Sequence, residues 1–136
     1  MLAQPGTLRA QGSDPEALAR AVKEAMSAGD LEAVLALYAD DAVLDLGAMG
    51  RISGKEELRG FFQDRFSHHA TWETSDYQVE GNAVTFKSRY SSDRMRSLGV
   101  TLEATEVIVI ENGKIATDTW TATDESMAAY RAARAT

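Results

Sequence analysis

The chain has 136 residues, a length that fits one domain. Its formal net charge of −7 argues against nucleic acid or an anionic membrane as partner, since either needs a basic face. There is no cysteine, which excludes disulfides, thiol nucleophiles and cysteine-ligated metals.

Residues 1–12 are rich in Gly, Pro and Gln and read as a flexible N-terminal tail, which leaves 13–136 as a single domain. No apolar run approaches the ~20 residues of a membrane span, and the N-terminal stretch lacks the apolar segment of a signal peptide. A cytoplasmic location is the expectation.

A first helix is written into residues 13–29. Ser13 or Asp14 caps it, Pro15 and Glu16 suit its first turn, and Gly29 ends it. Leu18, Val22 and Met26 recur at four-residue spacing and give one apolar stripe. Asp30 caps a second helix, with Leu31, Val34, Leu35 and Tyr38 on its buried side, and Tyr38 to Asp41 reads as the turn that ends it. A short strand follows over 42–47. The third helix, over 54–69, turns Leu58, Phe61, Phe62 and Phe66 inward, and Gly54 permits a tight entry.

Beyond residue 70 the period changes to two. Strands are expected over 71–79, 83–92, 99–110 and 114–123, with turns at Glu80-Gly81-Asn82 and Glu111-Asn112-Gly113. Residues 91–99 read as a solvated hairpin end or as a lip carrying Arg94, Met95 and Arg96, and 124–134 as a C-terminal helix. Helices first and an antiparallel meander after them define an α+β fold, whose twisted sheet curls around the helices and leaves an apolar concavity.

That order, together with "GDLEAVLALYADDAVLDL", "ISGKEELRGFF" and "VIENGKI", resembles the nuclear transport factor 2-like superfamily over about residues 14–130. The similarity is to the branch of ketosteroid isomerases, SnoaL-like polyketide cyclases and limonene epoxide hydrolases. The resemblance implies a cone-shaped sheet against three N-terminal helices, a deep pocket, and a homodimer formed through the sheet. Thr105, Val107 and Val109 would give that dimer an apolar outer face.

Residue by residue, the isomerase's proton-shuttling Asp falls at Leu46, its oxyanion Tyr at Val22, and its second oxyanion donor near Glu106. Of the epoxide hydrolase's Arg-x-Asp, Arg89 keeps the Arg while Ser91 takes the place of the Asp. Its second Asp falls near Trp120.

The expected register places Leu44, Leu46, Arg89, Ser91, Glu106 and Ile108 on the concave side, with Asp118 and Trp120 beside them. Val22 and Phe62 complete the substrate wall from the helices. Burial in "EVIVI" disfavours the charged form of Glu106 unless a cation is near. Glu106 is therefore a candidate acid or base, or the structural partner of Arg89. Arg89 is a candidate polariser, and Asp118 a second carboxyl. His68 and His69 lack a third ligand at a useful spacing, so no metal is expected, and no organic cofactor either. The resulting expectation is an enzyme of small apolar molecules, working by cofactor-free acid–base chemistry: isomerisation, cyclisation or hydration. A binding or dimerisation domain of the same fold is the alternative.

Overall fold

A computed structural model describes residues 14–135; the expected tail lies outside the described residues. Helix α1 (Pro15–Ala28) starts where Asp14 accepts hydrogen bonds from the Glu16 and Ala17 backbone N–H groups. It stops at Gly29, whose φ of +68° lets the chain reverse. Asp30 caps α2 (Leu31–Leu37) through the Ala33 N–H.

Strand β1 (Tyr38–Asp45) follows α2 without a break. The turn expected at Tyr38 to Asp41 is therefore strand, with a register shift between Tyr38 and Val43 that absorbs the exposed Asp40 and Asp41. A short 3₁₀ turn (Gly47–Met49) leads to β2 (Arg51–Ser53) and then to α3 (Gly54–Ser67). Gly54 enters this helix at φ +85°, the tight entry read from the sequence.

The meander is β3 (Thr71–Glu80), β4 (Ala83–Ser91), β5 (Leu102–Glu111) and β6 (Lys114–Ala122). Between β4 and β5, the expected hairpin end is instead a helix, α4 (Asp93–Leu98), capped by the Ser92 hydroxyl. Helix α5 (Asp124–Ala135) closes the described chain. The sheet has six strands in the order β2-β1-β6-β5-β4-β3. Every pairing is antiparallel except β1 with β6, which is parallel.

Register decides what faces inward. One row across the concave face reads Leu44, Asp118, Ile108 and Val84; the next reads Trp120, Glu106 and Phe86. The helices close over these rows. Val22, Val34, Leu58 and Ile108 have no exposed surface and form the main core with Tyr38 and Phe62. A smaller cluster of Met95, Leu102, Ala104 and Trp120 lies toward α4 and α5. Among the described residues no helix is long and apolar enough to cross a membrane.

Candidate active site

Between the two clusters lies a cavity of about 270 Å³, at the small end for a ligand site. Its walls are apolar: Leu44, Leu46, Phe62, Trp72, Met95 and Trp120 contribute most of them. Its floor is polar, built by Lys23 on α1, Glu106 on β5 and Asp118 on β6, with Tyr38 at the start of β1 behind Asp118; all four side chains are at most 5% exposed.

The contacts within this quartet are specific. Lys23 Nζ donates to Glu106 Oε2 at 3.0 Å and lies 2.9 Å from Oε1, where the angle does not suit a hydrogen bond. The ammonium also touches Met26 Sδ at 3.7 Å and stands 5.6 Å from the centre of the Phe86 ring. Tyr38 donates its hydroxyl proton to Asp118 Oδ2 at 2.8 Å. Asp118 and Glu106 are diagonal neighbours on adjacent strands, and their carboxyl groups are within hydrogen-bonding reach of each other.

Two carboxylates side by side out of water cannot both stay ionised at neutral pH. Burial pushes Asp118 well above the usual carboxylate range, and the charge of Glu106 and its hydrogen bond push it further; Lys23 and Tyr38 offset only part of this. Asp118 is thus the member of the pair whose surroundings favour the neutral form. Its Oδ1 and Glu106 Oε1 have no other hydrogen-bond partner, and one proton on Asp118 donated to Glu106 satisfies both. Burial alone would lower the pKa of Lys23, but the charge of Glu106 and the hydrogen bond to it outweigh this and hold the group above an ordinary lysine. The floor therefore holds one cation, one anion and one shared proton.

The Tyr38 hydroxyl is raised well above its usual range, by burial first and then by the charges of Asp118 and Glu106, so it stays a donor. Tyr38→Phe removes that donor and leaves Asp118 Oδ2 buried and unpaired. The expected loss is about 1–3 kcal/mol, read as a lower urea midpoint with an unchanged slope.

Of the residues singled out from sequence, Glu106, Asp118, Leu44, Leu46, Trp120 and Phe62 meet at this cavity. Four others do not. Arg89 and Ser91 sit on the opposite side of β4, because the apolar alternation of that strand turns Val84, Phe86 and Tyr90 inward. Arg89 is exposed there, 4.0 Å from Glu73 and 3.7 Å from Glu103, and is not the partner of Glu106. Ile108 and Val22 face the helix–sheet interior but fill core below the cavity instead of lining it.

The sequence reading missed Lys23. It lies four residues after Ala19, on the shoulder of the α1 stripe, and both are buried. A lysine on the edge of an apolar stripe, in a chain with a buried glutamate to match, was the available signal. His68 stands at the cavity mouth, while His69 pairs outside with Asp93 at 2.7 Å. Among the described residues no group of three or more His, Asp or Glu side chains is placed to hold a metal ion.

Helices clasped by a curved, mostly antiparallel sheet around one polar-floored cavity define a nuclear transport factor 2-like protein. Within that class the chain belongs to the SnoaL-like domain family, whose model matches residues 19–117. No curated protein matches it.

Solved structures share the fold at low identity. A candidate ketosteroid isomerase from Kribbella flavida is 17% identical, with 81% of this chain and 78% of that one covered at a TM-score of 0.70. A candidate polyketide cyclase from Sinorhizobium meliloti is 20% identical, with 76% and 92% covered at 0.66. SalBIII, an epoxide hydrolase/cyclase-like enzyme of pyran ring formation in the polyether salinomycin, is 13% identical, with 83% and 93% covered at 0.73. At these identities the likeness is one of fold.

Proposed function

We propose that this protein is an acid–base enzyme that moves a proton on a small, largely apolar carbonyl compound, in an isomerisation or cyclisation. The observation that carries the reading is the Asp118–Glu106 pair, two buried carboxyl groups side by side at the floor of an apolar cavity. Glu106 takes a proton from the carbon beside the carbonyl, and Asp118 gives its proton or a hydrogen bond to the carbonyl oxygen as charge develops there. Return of a proton to a different carbon isomerises the substrate; attack of the enol carbon on a second carbonyl closes a ring. Lys23 keeps its own charge throughout and offsets the negative charge of the carboxyl pair.

Hydration fits less well. Activation of water between two carboxyl groups needs them apart, and these two are within hydrogen-bonding reach of each other. The neighbouring folds named for isomerases and cyclases point the same way.

A second reading is a binding protein with the same cavity and no turnover. It is favoured by Lys23, which stands within 3.0 Å of both Glu106 oxygens and holds the base in place.

Solvent exchange separates the two. Cyclohexenone and aryl alkyl ketones are incubated with the protein in D₂O, and deuterium at the carbon beside the carbonyl is read by mass spectrometry. Exchange faster than in buffer, and lost in Glu106→Gln, is the expected result. A ketone that raises the melting temperature without any exchange would instead establish the binder.

A further inference from the structure

The cavity mouth differs in charge from the rest of the molecule. The chain carries a net −7, yet the mouth is lined by Arg65, His68 and Arg94, with Asp64 as its one carboxylate. Asp64 is already engaged: Arg65 reaches its Oδ2 at 3.1 Å, and His68 Nδ1 lies 3.5 Å from its Oδ1. Arg65 is held further by the faces of Phe61 and Tyr90, 4.4 and 5.8 Å from the ring centres. The Arg94 guanidinium has no ion pair, hydrogen bond or ring contact among the described residues. Among the permanent charges of the described residues there, two arginines face one aspartate, and one positive charge at the mouth is uncompensated. The floor adds none, because Lys23 and Glu106 cancel.

A second observation lies deeper. Trp120 is 5% exposed and lines the cavity, but its indole N–H has no acceptor. A buried donor without a partner is costly, and an oxygen of a bound molecule would satisfy it.

We infer that the cavity takes a small amphipathic carboxylate, with an apolar, carbonyl-bearing body inside, its oxygen accepting from Trp120, and its carboxylate on Arg94 at the mouth. A single uncompensated positive charge matches a monoanion. The planar arginine fork matches the two oxygens of a carboxylate better than it matches a point charge. This substrate class rests on reading the cavity as a ligand site, and it narrows the ketones proposed above to oxo acids.

The test uses benzoylpropionate, benzoylbutyrate and benzoylvalerate, each with its methyl ester. Both tryptophans of the chain, Trp72 and Trp120, line the cavity, so quenching of intrinsic fluorescence reads binding directly. At least one acid should bind more tightly than its ester by about fivefold or more at low salt, and added salt should erode the difference. Arg94→Ala should bring the acid down to the level of the ester and leave ester binding unchanged, which also shows that the variant is folded. Arg94→Lys should restore part of the preference.

Equal binding of acid and ester, a preference that survives Arg94→Ala, or no saturable quenching by any of the three acids would each overturn the inference. The outcome is separable from the catalytic reading. Acid-selective binding without deuterium exchange leaves the inference standing and removes the enzyme; exchange of esters alone does the reverse.

Discussion

Replacing Lys23 by methionine is expected to destabilise the protein by about 3–5 kcal/mol, the cost of leaving one member of a buried ion pair alone. The physical reason is the position of Glu106. It is 2% exposed, it lies between Phe86 and Trp120 in its row of the sheet, and Lys23 is the only cation that reaches it among the described residues. Methionine preserves most of the aliphatic volume of the side chain, so the loss reports charge and not a cavity.

The control is the double variant Lys23→Met/Glu106→Gln. Removing both charges also removes the uncompensated one, and a neutral amide still accepts the proton of Asp118. The double variant should recover at least half of the stability lost by the single one, in the same urea titration. If the two variants are equally unstable, Lys23 acts through packing against Met26 and Phe86, and the electrostatic account of the floor fails. Turnover should be lost in the double variant, because an amide at position 106 cannot take a proton from carbon.

That lysine also shows where reading the sequence stopped. The fold was legible because its signals are redundant: the caps at Asp14 and Asp30, the stop at Gly29, the entry at Gly54 and the change to period two beyond residue 70 each point the same way. Family-specific stretches from the second helix to the last hairpin agreed with them. The site was only half legible. Glu106 stood out as a carboxyl group in an apolar run and Asp118 as one beside Trp120, and the expected register put both on the concave side, where the structure has them.

Arg89 was misplaced because a motif position was weighed above the alternation of its own strand, where Val84 and Phe86 fix which side is in. Lys23 and Tyr38 were passed over for a different reason. Each lies on an apolar helix stripe or at an element boundary, where a polar group reads as an edge. Only the packing of α1 and β1 onto the sheet shows that these edges face a carboxyl group 83 and 80 residues away. Contacts of that separation leave no periodic trace.

Asp118→Asn is the substitution that isolates the shared proton. Asparagine is close to isosteric with a neutral aspartic acid. It accepts from the Tyr38 hydroxyl and donates to Glu106, as the protonated acid does, but it has no proton to give up. Catalysis by the proposed route should fall by about 10²- to 10⁴-fold, the usual contribution of a positioned acid, while binding of the same ketones is retained.

Stability should respond in the opposite sense. The pKa of Asp118 is raised in the fold well above the ordinary aspartate value of 3.8. Between that value and the folded pKa, the native state holds a proton that the unfolded chain has released. Stability then falls as pH rises, by at most about 1.4 kcal/mol per pH unit for one proton. The contribution of Asp118 is fully present below the unfolded pKa and is lost progressively above it. Asparagine carries no such penalty, so the variant should match the wild type near pH 3.8 and exceed it at neutral pH. The measurement is a series of urea titrations of both proteins from pH 4 upward, plotted as a difference. A flat difference would mean that Asp118 is ionised in the fold. The floor would then hold two carboxylates against a single lysine, and no acid would be left to meet the carbonyl oxygen.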